Sequence, residues 1–356
     1  MIDFYNEQSR GFKSAKSTNK SIMVEQFINT DERKISWNRN FLQDIEKHII
    51  YSYKSENIVT GLYRPFCKCN LYFDQDMNAM LYQNKKLFPK KDLDNIVICV
   101  SGRAAQKPFS AFVSRFIPDL QVVDKGQCFP LYYYEEQDKQ SPALWDVVGE
   151  SDYIRRDGVS DFILDRAKKQ YGKNVSKEDI FYYVYGILHS PEYRTTFAND
   201  LKKTLPRIPL VEDVKDFWKF SKTGRQLAEL HINYESVPPY KGVKVSGDDG
   251  KFYKVEKMRF PAKGEKHSIN YNSKITVANV PAKAYEYVVN GKSAIEWVME
   301  RYQVTTHPES GITNDPNDWA KEVGNPRYIL DLLLSVINVS VQTAELVSQL
   351  PNLKFE

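Results

Sequence analysis

Cysteine is scarce, with four residues in 356: Cys67, Cys69, Cys99 and Cys128. Their number and irregular spacing exclude a disulfide framework and set the expectation of a reducing, cytoplasmic compartment. No run of 18 apolar residues occurs, so no membrane-spanning segment is expected. The opening Met1-Ile2-Asp3-Phe4-Tyr5 has neither the basic start nor the apolar stretch of a secretory leader. No phosphate-cradling Gly-x-x-x-x-Gly-Lys-Ser/Thr loop occurs, which excludes nucleotide hydrolysis of that type. Excess charge of one sign is nearly absent: 50 Lys and Arg against 46 Asp and Glu leave +4. Such a balance allows nucleic-acid binding through local basic patches without requiring it.

Aromatics are plentiful, with 23 Tyr, 19 Phe and 5 Trp. They gather most densely at Phe181-Tyr182-Tyr183-Val184-Tyr185, which runs through Gly186, Ile187 and Leu188 to His189-Ser190-Pro191. Ser190 suits a helix N-cap and Pro191 the first helical position, where the missing N–H costs nothing. Tyr193, Phe197 and Leu201 then recur at helical spacing until Pro206-Arg207-Ile208-Pro209 stops the segment. Two helices with an aromatic inner face are expected here.

Elsewhere hydrophobic periodicity predicts a mixed α/β (α+β) fold. A connector at residues 1–20 ends in a polar, mobile Lys13–Lys20. A mixed-sheet subdomain follows at 21–145, with a helix at Phe41–Tyr51 and strands at Val59–Tyr63, Leu71–Phe73, Ile96–Val100, Leu120–Val123 and Cys128–Tyr134. A helix is expected at Phe109–Phe116, and a polar connector at 135–150. A helical middle (146–235) contains Val159–Tyr171, Ser176–His189, Pro191–Leu205 and Val211–Leu230, with Ser176 as a cap. A β-hairpin region (236–283) pairs Val243–Val245 with Lys251–Val255 around Gly247-Asp248-Asp249-Gly250, and Ser268–Tyr271 with Lys274–Val277. A helical C-terminal segment (284–356) holds Ala294–Tyr302, Trp319–Gly324 and Tyr328–Gln349.

Most catalytic signals dissolve on inspection. Val237-Pro238-Pro239-Tyr240 imitates the Asn/Asp-Pro-Pro-Tyr of amino-methyltransferases, but Val237 cannot accept the hydrogen bond from a target amine. A rigid Pro-Pro turn is the better account. Asp213-Val214-Lys215 and Asp249-Gly250-Lys251 imitate nuclease triplets without an upstream metal-binding Asp. Cys67-Lys68-Cys69 has no second pair at zinc spacing, and Cys99 and Cys128 stand alone. The five histidines, at 48, 189, 231, 267 and 307, show no metal spacing. No metal site and no catalytic residue is therefore assigned.

What remains is cations interleaved with aromatics and amides: Trp37-Asn38-Arg39, Arg103 with Gln106 and Lys107, Arg155 with Arg156, Arg194 with Lys202 and Lys203, and Lys263 with Lys266 and His267. Arg and Lys suit guanine edges, Asn and Gln suit adenine, and all of them suit phosphates. On most proteins such residues are solvated surface. The Ser101–Lys107 loop, glycine-started and placed after a predicted strand, is the strongest candidate for double-stranded DNA contact.

Several ordered stretches resemble one known family. They are Lys34-Ile35-Ser36-Trp37, Leu62-Tyr63-Arg64-Pro65-Phe66, Ile117-Pro118-Asp119-Leu120, Gly126–Tyr132, Tyr185–Arg194, Leu205–Pro209, Tyr287-Val288-Val289-Asn290-Gly291, Trp297–Gln303 and Asn314–Trp319. Together they are similar to the C-terminal specificity region of type ISP restriction-modification enzymes. The resemblance implies a target-recognition domain that reads a short asymmetric DNA sequence and presents one adenine to a methyltransferase domain. Nuclease, helicase and methyltransferase domains would be its partners, and S-adenosylmethionine, ATP and Mg would serve those domains, with no cofactor here. A self-sufficient adenine-specific DNA methyltransferase and a protein-docking scaffold are the alternatives.

Overall fold

The structure, a computed structural model, describes residues 1–137 and 152–353. The polar connector expected at 135–150 therefore falls largely outside the described residues. Helices and short sheets mix along the chain, as an α+β pattern requires. The chain separates into two compact units. One comprises residues 1–60, 70–82 and 304–315, and the other 61–69, 83–303 and 316–356.

The smaller unit is built on the helix Ile2–Thr18. The Lys13–Lys20 stretch expected to be mobile is largely the end of this helix. Tyr5 and Phe12 on its inner face are fully buried against Val24, Ile35, Phe41, Ile45 and Tyr51. Asn6 fixes the docking: its Nδ2 donates to Tyr51 O (2.8 Å) and its Oδ1 accepts from Tyr51 N (2.9 Å). A buried amide satisfied on both sides holds the polar half of this helix in place. The helix predicted from Phe41 instead spans Arg39–Glu46, because Asn38 Oδ1 caps it by accepting from Phe41 N.

The larger unit is organised by two helices, Lys177–His189 and Val214–Ile232. A Ser176/Asp179 capping box opens the first, as the sequence suggested. The helices cross backbone to backbone. A Cβ on Gly186 would lie 2.4 Å from Phe220 O, and one on Gly224 1.9 Å from Tyr182 O. Only glycine permits that approach. Around the crossing, Tyr171 stacks on Phe217 at 4.1 Å and Tyr183 at 4.9 Å. The helix Tyr328–Ser348 adds a third buried wall. By length and composition it could cross a membrane, although Ser335, Asn338, Ser340 and Gln342 interrupt its apolar run. Of its most apolar window, 67% lies inside the protein, as in a core helix.

This unit also contains a three-stranded antiparallel sheet. Val97–Val100 lies centrally between Ala111–Ser114 and Gln127–Pro130. Ala111–Ser114 replaces the helix expected at Phe109–Phe116. Ser101 and Ser110 explain the change: Ser101 N donates to Ser110 O, and Ser110 N to Ser101 Oγ, closing the loop between two strands. Leu120–Val123, expected as a strand, is a turn. Asp119 Oδ1 accepts from Gln121 N, and the Leu120 and Val123 carbonyls accept from Gly126 N. The predicted helix from Pro191 ends at Thr196, where Thr195, Thr196, Asn199 and Asp200 are weak helix formers.

The expected hairpin of Val243–Val245 with Lys251–Val255 does not form. Lys244–Ser246 pairs instead with Thr276–Ala278, which also pairs with Ser268–Asn270 as the sequence suggested. The carbonyls of Phe252 and Lys254 are taken by Asn272 Nδ2, and that of Tyr253 by Tyr271 Oη. Side chains from afar thus satisfy backbone that a strand partner would otherwise occupy.

Gly224→Ala drives a methyl into the Tyr182 carbonyl and is expected to lower unfolding stability by about 3 kcal/mol. A urea titration of parent and variant checks this. An unchanged midpoint would show that the helices are free to separate.

Candidate nucleic-acid interface

The loop after Val97–Val100 is held from three directions. Asp124 grips it: Oδ2 accepts from Gln106 N (2.5 Å) and Lys107 N (2.9 Å). The Asp124 carbonyl accepts from Gly102 N at 3.0 Å. Gly102 must be glycine, since a Cβ there would lie 2.0 Å from Lys125 O. Ala104, in the left-handed region at φ 57°, has both peptide groups engaged. Its N–H donates to Lys202 O (3.3 Å) and its carbonyl accepts from Lys125 Nζ (2.9 Å).

Asp124 is itself held from behind. Asn290 Oδ1 accepts from Asp124 N (3.1 Å), while Asn290 N donates to Ser110 Oγ (2.7 Å). Asn290 and Gly291, at φ 53° and 82°, form the two-residue turn between Val288–Val289 and Lys292–Ser293. Two successive positive φ angles are what a type I′ hairpin demands, and Asn-Gly supplies them with the least strain.

The outcome is a cationic surface. Arg103, Gln106, Lys107, Lys125, Lys202 and Lys203 are all exposed. The Ala104–Lys202 hydrogen bond joins two sequence clusters, Arg103–Lys107 and Lys202–Lys203, that lie far apart in the chain. Preorganised backbone carrying exposed Arg, Gln and Lys is suited to phosphates and base edges. Sequence reasoning missed Asp124, Lys125 and Asn290. An Asn-Gly pair preceded by two valines was the available signal for the last.

The other candidates take different places. Arg194 turns inward: its Nε donates to Leu188 O at 2.6 Å, and burial lowers its pKa below the ordinary arginine value. It lies in a buried network with two histidines. Tyr185 Oη meets His231 Nδ1 at 2.7 Å, and His231 Nε2 meets Thr343 Oγ1 at 2.9 Å. Thr343 Oγ1 donates to Val339 O, so it accepts from His231 Nε2–H and leaves Nδ1 to accept from Tyr185. His189 Nδ1 engages Tyr185 O at 2.9 Å. Burial foremost, then the Arg194 charge, pulls His231 down to about 3 and His189 well below its usual value.

Arg155 and Arg156 sit on the strand Tyr153–Asp157, not in the helical segment expected from 146. The alternation there is strand-like, and it pairs with Tyr132–Glu136. Arg155 lies over the Tyr132 ring at 4.2 Å, and Arg156 Nε contacts Glu135 at 3.0 Å. Trp37, Asn38 and Arg39 belong to the smaller unit. Trp37 Nε1 donates to Asn29 O and its ring meets Phe4, Tyr5 and Phe41. Asn38 is the helix cap, and Arg39 is exposed. Lys266 contacts Glu296 at 2.8 Å. His307 is not isolated: it, Glu32 and Glu309 bring ligand atoms within 4.8 Å of one another. All three are exposed, a setting in which carboxylates gather without a metal.

The chain belongs to the type ISP C-terminal specificity domain family, whose profile matches residues 1–332. It is similar to a nuclease-deletion mutant of the type ISP restriction-modification enzyme LlaGI, solved in complex with a DNA substrate mimic. The two share 36% identity and a TM-score of 0.82 over all of this chain and 30% of that one. For the ATP-dependent type ISP enzyme LlaBIII bound to DNA the values are 36%, 0.85, all of this chain and 21% of that one. For the DrdV–DNA complex they are 30%, 0.82, 99% and 33%. The chain thus spans a third or less of each solved protein. Comparison with curated proteins gave no match.

The buried histidines predict acid sensitivity. In the folded protein both are neutral; in the unfolded chain they protonate near pH 6.5. Their contribution is therefore complete above about pH 6.5 and declines as pH falls, by about 1.4 kcal/mol per pH unit for each. Urea midpoints at pH 7.5 and 5.5 measure the loss. His231→Gln should show a smaller decline across that window, and equal declines would discount the role of this histidine.

Proposed function

We propose that this chain is the double-stranded DNA recognition module of a type ISP restriction-modification enzyme. The observation that carries the reading is the joining of Arg103, Gln106 and Lys107 to Lys202 and Lys203 by one backbone clamp. The solved relatives named above were captured with DNA, which supports it. Lysines and Arg103 neutralise phosphates and set the register, while Gln106 and Arg103 face base edges. The finer part of the proposal is that recognition presents one adenine to a methyltransferase domain beyond this chain. S-adenosylmethionine, ATP and Mg would act in those other parts, and none is required for binding here.

Fluorescence anisotropy with duplex pools tests the reading. Neutralising about five phosphates gives a slope of about −4.5 in log affinity against log salt. Arg103→Glu with Lys107→Glu should abolish binding at moderate salt with an unchanged circular dichroism spectrum. Retained binding would move the interface elsewhere.

Asp124 makes a second, sharper prediction. A carboxylate beside cations repels DNA, so Asp124→Asn should strengthen non-specific binding several-fold on charge alone. Yet the charge-assisted grip on Gln106 and Lys107 weakens. The ratio of specific to non-specific affinity should therefore fall about tenfold, one good base contact being worth about 1–3 kcal/mol. An unchanged ratio would leave Asp124 without a positioning role.

A further inference from the structure

We propose that Cys99 and Cys128 form a redox modification site, in which a peroxide-class oxidant joins the two thiols in a reversible cross-strand disulfide. The sequence sets them 29 residues apart, as isolated thiols. The structure places their sulfurs 3.5 Å from one another. They are direct partners in the antiparallel pairing of Val97–Val100 with Gln127–Pro130.

The pairing phase is what makes the site. Leu131 N donates to Ile96 O at 2.8 Å, so residues 96 and 131 form a hydrogen-bonded pair. Alternation then makes Val97–Pro130 and Cys99–Cys128 non-hydrogen-bonded pairs. Pro130, which has no N–H to donate, fits that phase. Side chains lie closer at such pairs, and the Cα separation of about 4.5 Å falls within disulfide range. Closing the bond needs only a small sulfur movement.

Access and reactivity divide the roles. Cys99 is 1% exposed, whereas Cys128 is partly exposed and reaches the oxidant first. Either thiol can donate across this contact; with Cys99 as the donor, the bond favours the Cys128 thiolate and lowers its pKa against the opposing effect of burial. A lowered, accessible thiol next to a resolving thiol is the pattern of oxidation-prone cysteines. By contrast, burial raises the Cys67 thiol to about 11 and raises Cys69 as well.

The step balances. The Cys128 thiolate attacks one peroxide oxygen, the O–O bond breaks, and the departing hydroxide takes a proton to leave as water. Cys128 is then a sulfenic acid. The Cys99 sulfur attacks the Cys128 sulfur, the S–O bond breaks, and hydroxide leaves with the Cys99 proton as a second water. Two thiols have lost two protons and two electrons, and the peroxide has been reduced. Val97–Val100 runs straight into the Arg103 loop, and Gln127–Pro130 leaves the Asp124 turn. The bond would therefore fasten both arms of the cationic loop at their base.

The test does not depend on DNA. The full chain is treated with hydrogen peroxide, denatured, alkylated and mapped by peptide mass. The Cys99 and Cys128 peptides should leave the alkylated pool and appear as one linked pair, lighter by two hydrogens and restored by dithiothreitol. Cys67 and Cys69 should remain alkylated. Unfolding should shift to higher denaturant in the oxidised form, since the bond closes a long loop. Cys99→Ser should halt at a dimedone-trappable Cys128 sulfenic acid, and Cys128→Ser should leave Cys99 untouched. Free Cys99 and Cys128 after peroxide, or linkage through Cys67 or Cys69, would overturn the proposal.

Discussion

The backbone contact between Gly186 and Gly224 sets the geometry of the larger unit. Two helices this close leave no room for side chains between them, so the tyrosines of Lys177–His189 are turned to the flanks. Three hydroxyls around the crossing, one from this helix and two from the helices before and after it, reach carbonyls of the extended segment beyond. Tyr193 Oη donates to Arg207 O, Tyr183 Oη to Pro209 O and Tyr171 Oη to Val211 O. The ring bodies supply apolar area to the core, and the hydroxyls pin the outgoing chain. That chain begins at the turn bearing Lys202 and Lys203. The tyrosine excess thus holds in place an irregular segment that no strand or helix would otherwise fix.

Electrostatics finish what packing begins. A loop bearing Arg103 and Lys107 beside Lys125, Lys202 and Lys203 repels itself. Asp124 lies among these cations and compensates part of the repulsion. Its acceptor oxygen also takes two loop amides, so one side chain both offsets charge and sets conformation. The same doubling appears at Asn290, where a left-handed turn residue serves at once as hairpin corner and as acceptor for Asp124 N. A surface assembled this way is ordered before any partner arrives, which reduces the entropy lost on binding.

Legibility in the sequence followed the range of the interactions. Ser176 and Ser190 announce helix starts because a cap and its target lie within three residues. The hairpin around Asn272-Ser273 was readable for the same reason. Lys251–Val255 was not, because Tyr271 and Asn272 claim its carbonyls from about 20 residues away. The cationic clusters were visible as residues, and the Ser101–Lys107 loop lies where strand periodicity placed it. Their union was not visible, since it depends on a single long-range backbone hydrogen bond and on an aspartate with no local signature. Arg194 shows the converse: its sequence neighbours suggested an exposed surface, while the Leu188 carbonyl holds its partly buried guanidinium against the protein.

Buried polarity in this unit follows one rule. The interior near the helix crossing contains Tyr185, His189, His231, Tyr287 and Thr343, with the Arg194 charge alongside. His231 stacks on Tyr287 at 4.7 Å and lies parallel to Phe112 at 6.2 Å. A protonated imidazole there would lose its hydration and face the Arg194 charge, so the neutral tautomer is enforced by position. Each hydrogen bond then has one permitted direction, from Tyr185 to His231 to Thr343 to Val339. A chain of donors with a fixed sense aligns Val214–Ile232 against both neighbouring helices, and it does so in a region where aromatic rings alone would tolerate sliding. Specificity of packing here comes from that directed chain, and the acid sensitivity of the fold is its direct physical consequence.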